Sequence, residues 1–330
     1  MKESVDSVLA QTYQDFEIVF VDDGSRDRSV EIAEEYAASD SRIRVHGNPS
    51  NVGLSANCNR CIELAAGEWI KFVFQDDAIR PDCIEKMLAR GLEGAPFVSC
   101  RRSLVFDDTV GDDRRMWYEK HRALVERLFD GWGGFATPED CQRLAIEYFE
   151  TNVFGEATSV LMHRRVFEKV GVFNPALIMI CDFEMWARIT IHFGAAVVAE
   201  DLATFRAHGG SATAANAKRD YRAKVLDPVI VLERYAHDPE YEPLRRYASA
   251  MSPARDVDEA FDWASHDALW IATKAAEQGT KAQLEELWAT TEQYPAIRRS
   301  PASHFAWRLR RKFLGLSEPA LLGERRRVGR

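Results

Sequence analysis

Two apolar runs in this chain end abruptly in paired carboxylates. "FEIVFVDDGS" delivers Asp22 and Asp23, and "WIKFVFQDD" delivers Asp76 and Asp77. Neighbouring anions repel each other, so a counter-charge is expected beside them. Acids also favour turns and helix N-termini without any chemistry. Two such pairs on neighbouring strands weigh toward a binding crevice, because ligands of an open parallel sheet sit beyond the carboxyl ends of its strands. Hard oxygen ligands suit Mg2+ or Mn2+, which commonly hold phosphates with only one or two protein carboxylates. A divalent cation with a nucleotide diphosphate would offset the clustered charge. Asp182 opens the helical stretch "CDFEMWARITIHFG". From its position alone it is either a helix cap or a general base. His208 lies in the Gly-rich "FRAHGGSAT", where an ordinary exposed histidine and a ligand are both open readings.

The elements that must carry these residues alternate. "FEIVFV" reads as a buried strand, "SVEIAEEYAAS" as a helix, and "RIRVH" as a short strand. The turn "NPSNVGLS" precedes a helix from about residue 55 to 66 that stops at Gly67. "EWIKFVF" is the next strand. Pro81 suits the first turn of a helix running to about residue 90, and "PFVSC" is a strand. This order predicts an α/β fold, a doubly wound, mostly parallel sheet with helices on both faces. Beyond residue 100 the pattern changes. "DDRRMWYEKHRALVERLFDGW" and "TPEDCQRLAIEYFE" read as amphipathic helices, the second with a Thr137 cap and Pro138 in its first turn. "TSVLM" reads as a strand, "RRVFEKVG" as a short helix closed by Gly171, and the helix from Asp182 stops at Gly194. From about residue 218 the chain reads as helical.

Composition narrows the possibilities. The chain has 330 residues, 46% of them hydrophobic, and a formal net charge of -9. That charge argues against general binding to a nucleic-acid backbone. No run of about 18 apolar residues predicts a membrane span, and no signal-peptide pattern opens the chain. Six scattered cysteines suit a reducing cytosol better than a disulfide framework. Cys58 and Cys61 form a C-x-x-C without a second pair, so two packed thiols are expected rather than a zinc or redox site.

Other nucleotide chemistries lack their residues. The only Gly-dense stretch, "GWGGF", follows a helix, unlike a dinucleotide-binding fingerprint, and no P-loop is present. Val21 stands where an aspartate-nucleophile phosphatase needs its nucleophile. No Gly-rich, basic phosphate loop of a sugar nucleotidyltransferase follows the first strand.

Four ordered blocks carry a resemblance. "SVDSVLAQTYQDFEIVFVDDGSRDRSVEIAEEYA", "NPSNVGLSANCNRCIELAAGEWIKFVFQDDAIRPDCIEKML", "GEATSVLMHRRVFEKVGVFNPALIMICDFEMWARI" and "FRAHGGSAT" together resemble the inverting family 2 glycosyltransferases of GT-A fold, over about residues 1 to 215. The resemblance implies that Asp22 and Asp23 contact the base and ribose of a nucleoside diphosphate sugar. Asn51 and Gly53 would line the donor site. "QDD" matches the D-x-D region, with Phe74 where a further acid is common. Asp76 then matches the ribose-side position, Asp77 the metal ligand, and His208 a residue completing the metal and diphosphate site. Asp182 matches the catalytic base, with Cys181 in place of the usual preceding Glu. Glu184 is expected on the helix surface or orienting the base. Trp132 and Phe135 of "GWGGF" offer a sugar-stacking platform, though a packed turn is the stronger expectation.

The resemblance also implies Mg2+ or Mn2+ as cofactor, a glycan or lipid-linked hydroxyl acceptor, and a role in cell-surface polysaccharide synthesis in the cytoplasm. The expected organisation is a GT-A domain over residues 1–217, with donor side 1–100 and acceptor side 101–217, and a helical C-terminal extension over 218–330. The family usually opens with an apolar strand ahead of "SVLAQTY". This sequence lacks it, which suggests a misassigned start or a fragment, and makes a degenerate nucleotide-sugar-binding domain the alternative to an enzyme. "HFAWRLRRKFLGL" interleaves cations with Phe305, Trp307, Leu309, Phe313 and Leu314. It is a candidate for peripheral contact with an anionic membrane surface, or else a helix packed on the domain.

Overall fold

A computed structural model describes residues 1–299, 303–307 and 309. The described elements run α1 (Lys2–Leu9), β1 (Ile18–Asp22), α2 (Ser29–Ser39), β2 (Ile43–Gly47), α3 (Leu54–Leu64), β3 (Trp69–Lys71), β4 (Ala78–Ile79) and α4 (Cys83–Leu92). They continue with β5 (Phe97–Phe106), α5 (Asp112–Gly131), β6 (Phe135–Ala136), α6 (Pro138–Glu147), β7 (Val160–His163), α7 (Arg165–Val170), α8 (Cys181–Phe193) and β8 (Ala195–Ala207). Helices α9 (Ala212–Ala217), α10 (Asp227–His237), α11 (Glu242–Ala250), α12 (Val257–Glu277) and α13 (Ala282–Gln293) follow. The chain divides into two compact units. One comprises Met1–Cys141 with Thr151–Ala215, the other Gln142–Glu150 with the chain from Asn216 onward.

The first unit is α/β. β1 and β2 form a parallel pair, and the larger sheet has the order β3-β7-β5-β8-β4, with β6 added on β8. Parallel pairing is carried by β1–β2 and by the long β5–β8 ladder, from Val98 opposite Ala196 to Phe106 opposite Ala207. The short strands β3, β4, β6 and β7 pair antiparallel. Phe97, Val98 and Leu202 are fully buried along the central ladder. Cys83 and Met87 of α4 pack into the same core, as an amphipathic helix should.

Local expectations hold at most boundaries and fail at informative ones. Thr137 and Asp140 cap α6 reciprocally: the Asp140 amide donates to Thr137 Oγ1 at 3.1 Å, and the Thr137 amide donates to Asp140 Oδ2 at 3.0 Å. Gly171 and Gly194 end α7 and α8 at φ 77° and 68°, backbone positions that favour glycine. The expected strand "EWIKFVF" pairs only through Lys71. At Phe74 the amide donates to the Thr158 hydroxyl at 3.3 Å, and the Asp77 amide donates to the Phe74 carbonyl at 3.0 Å, so the chain has already turned. Pro81 precedes α4 instead of joining it. Its carbonyl accepts from the Thr12 amide at 2.8 Å.

The second unit is helical. α10 is buried on most sides, and Tyr235 packs against Tyr241 with ring centroids 4.7 Å apart. Among the described residues no helix is long and apolar enough to cross a membrane. Of the expected C-terminal amphipathic stretch, Phe305 and Leu309 are exposed, while Trp307 stacks on His266 at 5.1 Å. Phe313, Leu314 and the basic tail "ERRRVGR" lie outside the described residues.

Candidate active site

At the exit of β1 the backbone tightens around its own acids. Asp22 accepts from the Gly24 amide at 3.0 Å and the Ser25 amide at 3.1 Å, an Asx turn helped by Gly24 at φ 83°. Asp23 reaches across to the loop that precedes α3. Its carboxylate accepts from Asn48 Nδ2 at 2.9 Å, the Val52 amide at 2.8 Å and the Gly53 amide at 2.9 Å. Asn51 Nδ2 donates to the Asp23 carbonyl at 2.8 Å. Of the expected donor-site residues, Asp23, Asn51 and Gly53 therefore form one hydrogen-bonded cluster, while the Asp22 carboxylate closes its own turn beside it. A carboxylate offers about four acceptor positions, and three donors already hold that of Asp23. Its first task is to shape the loop.

The second acid pair splits between two environments. Asp77 is buried at 3% exposure. Its Oδ2 accepts from Thr158 Oγ1 at 2.6 Å, and its Oδ1 from the Arg206 amide at 3.1 Å. Burial pushes the Asp77 carboxyl up to about 6, against the opposing pull of these two bonds. Asp76 keeps partial exposure, and its Oδ2 lies 2.9 Å from His208 Nε2. A carboxylate only accepts, so that ring nitrogen carries the proton. The pairing of β4 with β8 brings the "QDD" turn beside the end of β8, and hence beside His208. Arg206 fastens the turn further. Its Nε donates to the Asp76 carbonyl at 3.2 Å, and its Nη2 pairs with Glu3 of α1 at 2.7 Å. The structure thus brings Asp76, rather than the expected Asp77, to His208. Asp77 turns inward, where Thr158 Oγ1 and the Arg206 amide meet its carboxylate.

Asp182 lies in the first turn of α8. Its Oδ2 accepts from Asn152 Nδ2 at 2.8 Å, and its Oδ1 from the adjacent Phe183 amide at 2.8 Å; it does not cap the helix, whose N-cap position is Ile180. The residue keeps partial exposure, yet burial pushes its carboxyl up to about 7, and the Glu156 carboxylate adds to the rise. Arg102 opposes that rise and is itself the partner of Glu156, with Nε to Oε2 at 2.5 Å. Behind Asn152 stands His121. Its Nε2 lies 2.8 Å from the Asn152 carbonyl, which can only accept, so this nitrogen is the protonated one. Burial and the neighbouring Arg102 push the His121 imidazole below its ordinary value.

One segment serves both centres. Residues 152–158 supply Asn152 to Asp182 and Thr158 to Asp77, with Glu156 between them. Six residues of chain span at most about 20 Å, so Asp182 and the "QDD" turn share one short scaffold. Gly155 permits its path, since at φ 82° an added Cβ would meet Arg102 Nη1 at 2.8 Å. Asn152, Glu156, Thr158, Arg102 and His121 were not anticipated. The signal for Glu156 and Thr158 lay in "GEATS", a polar run feeding an apolar strand. For Arg102 it lay in the paired arginines inside the otherwise apolar strand "FVSCRRSLVF".

Remaining expectations resolve plainly. Glu184 is not on the helix surface: it is fully buried and pairs with Arg188 at 3.0 Å, because α8 is enclosed on nearly every side. "GWGGF" is a packed turn around Trp132, which stacks on Phe154 at 6.0 Å, although Phe135 stays 42% exposed. Cys58 and Cys61 are free thiols whose pKa values burial raises. Among the described residues no group of three or more His, Cys, Asp and Glu could hold a metal ion. Asp76 with His208 is a two-ligand set of oxygen and imidazole donors. That fits Mg2+ or Mn2+ held chiefly by the phosphates and water.

Comparison with known proteins agrees with this architecture. The family model described as Glycosyl transferase family 2 matches residues 1–171. EpsH of Bacillus subtilis (strain 168) is 41% identical over 136 residues, which are 40% of this chain and 39% of EpsH. The match therefore spans well under two thirds of that relative. Among solved structures, residues 1-349 of S. aureus TarS in complex with UDP-GlcNAc align with a TM-score of 0.53 at 16% identity, covering 81% of this chain and 76% of that one. The mannosyltransferase PcManGT from Pyrobaculum calidifontis, in complex with GDP-Man and Mn2+, aligns with a TM-score of 0.52 at 16% identity, covering 93% of this chain and 78% of that one. These likenesses establish the fold, which is of the GT-A type.

Proposed function

The chain belongs to glycosyl transferase family 2, and we propose that it transfers a sugar from a nucleoside diphosphate sugar to a hydroxyl acceptor with inversion at the anomeric carbon. The acceptor in this reading is a surface glycan or a lipid-linked sugar. The observation that carries the reading is the shared scaffold: residues 152–158 hydrogen-bond both Asp182 and the turn that presents Asp76 to His208.

Each residue has a part. Asp22 and the Asp23–Asn51–Gly53 loop hold the base and ribose of the donor. Asp76 and His208 would hold Mg2+ or Mn2+, which when bound neutralises charge on the departing diphosphate. Asp77 is a positioning residue in this scheme, fixing the turn through Thr158 and Arg206. Asp182 takes the acceptor hydroxyl's proton as the oxygen attacks the anomeric carbon and the bond to the diphosphate breaks. With its carboxyl raised to about 7, it is poised to accept that proton near neutral pH. No protein nucleophile intervenes, so a single displacement inverts the configuration. The complexes of TarS with UDP-GlcNAc and of PcManGT with GDP-Man and Mn2+ support the donor and cation classes.

A panel of UDP- and GDP-sugars with Mn2+ and simple glycoside acceptors tests the reading. Acceptor-stimulated release of the nucleoside diphosphate and an inverted product anomer are expected. Nucleotide binding without turnover on any donor and acceptor would support a binding module instead.

A further inference from the structure

Helix α5 turns a stripe of Tyr118, His121, Val125 and Phe129 inward. Aromatic and apolar residues are expected on such a stripe, and His121 departs from that pattern while being only 8% exposed. A buried polar ring costs free energy unless it is hydrogen-bonded. Its Nε2 meets the Asn152 carbonyl at 2.8 Å. That carbonyl belongs to a segment outside helix and strand, so no ladder fixes its direction. The Gly155 amide also approaches it, at 3.4 Å, a longer and weaker contact. The imidazole plane is set by Trp117, which stacks on it with ring centroids 5.4 Å apart and planes 19° from parallel. His121 therefore offers an oriented donor to a loop carbonyl, at a position where an apolar residue would pack more simply.

The residue that receives this donor is the one that holds Asp182. The Asn152 side-chain amide donates to Asp182 Oδ2 and to the Gly155 carbonyl. We propose that His121 is a positioning residue for Asp182: its Nε2–H fixes the Asn152 backbone, and Asn152 thereby keeps its amide on the carboxylate. The assignment deepens the glycosyltransferase reading and rests on it. His121 touches no reacting atom. Burial and the neighbouring Arg102 hold its imidazole below the ordinary value, so a neutral replacement alters geometry and not charge near neutral pH. Glu156 and Arg102, which act electrostatically on both His121 and Asp182, stay in place. A hydrogen bond donated to a carboxylate favours its charged form. Loosening Asn152 should therefore raise the Asp182 carboxyl further.

The test uses the full chain with His121→Leu and His121→Gln. Leucine fills the stripe and has no donor, whereas glutamine brings an amide nitrogen toward the place of Nε2. The Asp182 carboxyl is followed across pH by carbon NMR, its signal identified as the one missing from Asp182→Asn. His121→Leu should move the midpoint upward by about 0.5 pH unit or more, and His121→Gln should return it toward the wild type. With a donor and acceptor that the wild type turns over, His121→Leu should lower kcat by roughly three- to tenfold, keep the donor KM within about twofold, and be largely rescued by His121→Gln. A merely structural role would lower the urea midpoint and leave the Asp182 titration where it was. An unmoved titration, or a loss of kcat that glutamine does not recover, overturns the proposal. Nitrogen NMR of the wild type needs no variant: the imidazole proton should sit on Nε2 between about pH 6 and 8, and a proton on Nδ1 alone overturns the proposal even if neither variant folds. Normal turnover with an unmoved titration removes only the positioning role. A titration that follows His121 in a wild type without turnover on any donor and acceptor removes the glycosyltransferase reading, and with it the catalytic purpose of the contact.

Discussion

Asn152 Nδ2 donates to Asp182 Oδ2 at 2.8 Å, while the same amide nitrogen donates to the Gly155 carbonyl at 2.8 Å. Both hydrogens of that amide are therefore spoken for, and the side chain of Asn152 has a fixed orientation. It clamps the candidate base to the scaffold that also holds Asp77 through Thr158. Asn152→Ala should lower kcat by roughly 10- to 100-fold, the scale of a lost hydrogen bond to a charged group. The donor KM should stay within about twofold, because Asn152 touches no donor-side residue. Steady-state kinetics over donor concentration separates the two.

The raised Asp182 carboxyl sets a pH dependence. Its charged form is the base, so kcat/KM should rise with pH and level off above about 7. Glu156→Gln removes the neighbouring charge that raises it, so the acidic limb should move to lower pH. A limb that stays in place, or moves upward, would separate Glu156 from the titration.

The same group affects stability with a definite sign. Its folded value, about 7, lies above the ordinary 3.8. Its contribution is therefore fully present below about pH 4 and is lost as pH rises through 7. Asp182→Asn should thus gain stability relative to wild type on going from pH 5 to pH 8, read by urea denaturation at both values.

Asp76 and Asp77 should differ despite their adjacency. Asp76→Asn and His208→Ala should raise the Mn2+ concentration for half-maximal activity by about tenfold or more. Asp77→Asn should leave it nearly unchanged, since the Asp77 carboxylate already faces Thr158 and the Arg206 amide. A Mn2+ titration in which Asp77→Asn behaves like Asp76→Asn would return Asp77 to the metal.

Much of this was legible in the residues. The apolar runs, the breakers at Gly67, Gly171 and Gly194, and the Thr137–Asp140 cap are local signals, and local physics sets them. Asp182 and the β1-exit acids stood out because carboxylates at element ends are conspicuous. What could not be read was direction. Whether Asp76 or Asp77 faces His208 depends on the inward partners of Asp77, and one of them is Thr158, eighty-one residues beyond it. Glu184 looked like a surface acid because its partner Arg188 gives no hint that both are enclosed. Their burial makes Glu184→Ala costly, by about 3–5 kcal/mol in a denaturant titration. The Arg102–Glu156 pair was likewise hidden, since its members come from distant stretches and meet only through the pairing of β5 with β7.

The central claim is that Asp182 is the general base. Its most direct test is the rate of acceptor-dependent nucleoside diphosphate release by Asp182→Asn at pH 8, with donor binding measured alongside. Loss of the base should lower that rate by about 100- to 10,000-fold while the donor still binds. Transfer by Asp182→Asn at more than about a tenth of the wild-type rate would contradict the account and leave Asp182 as a first-turn acid of α8 alone.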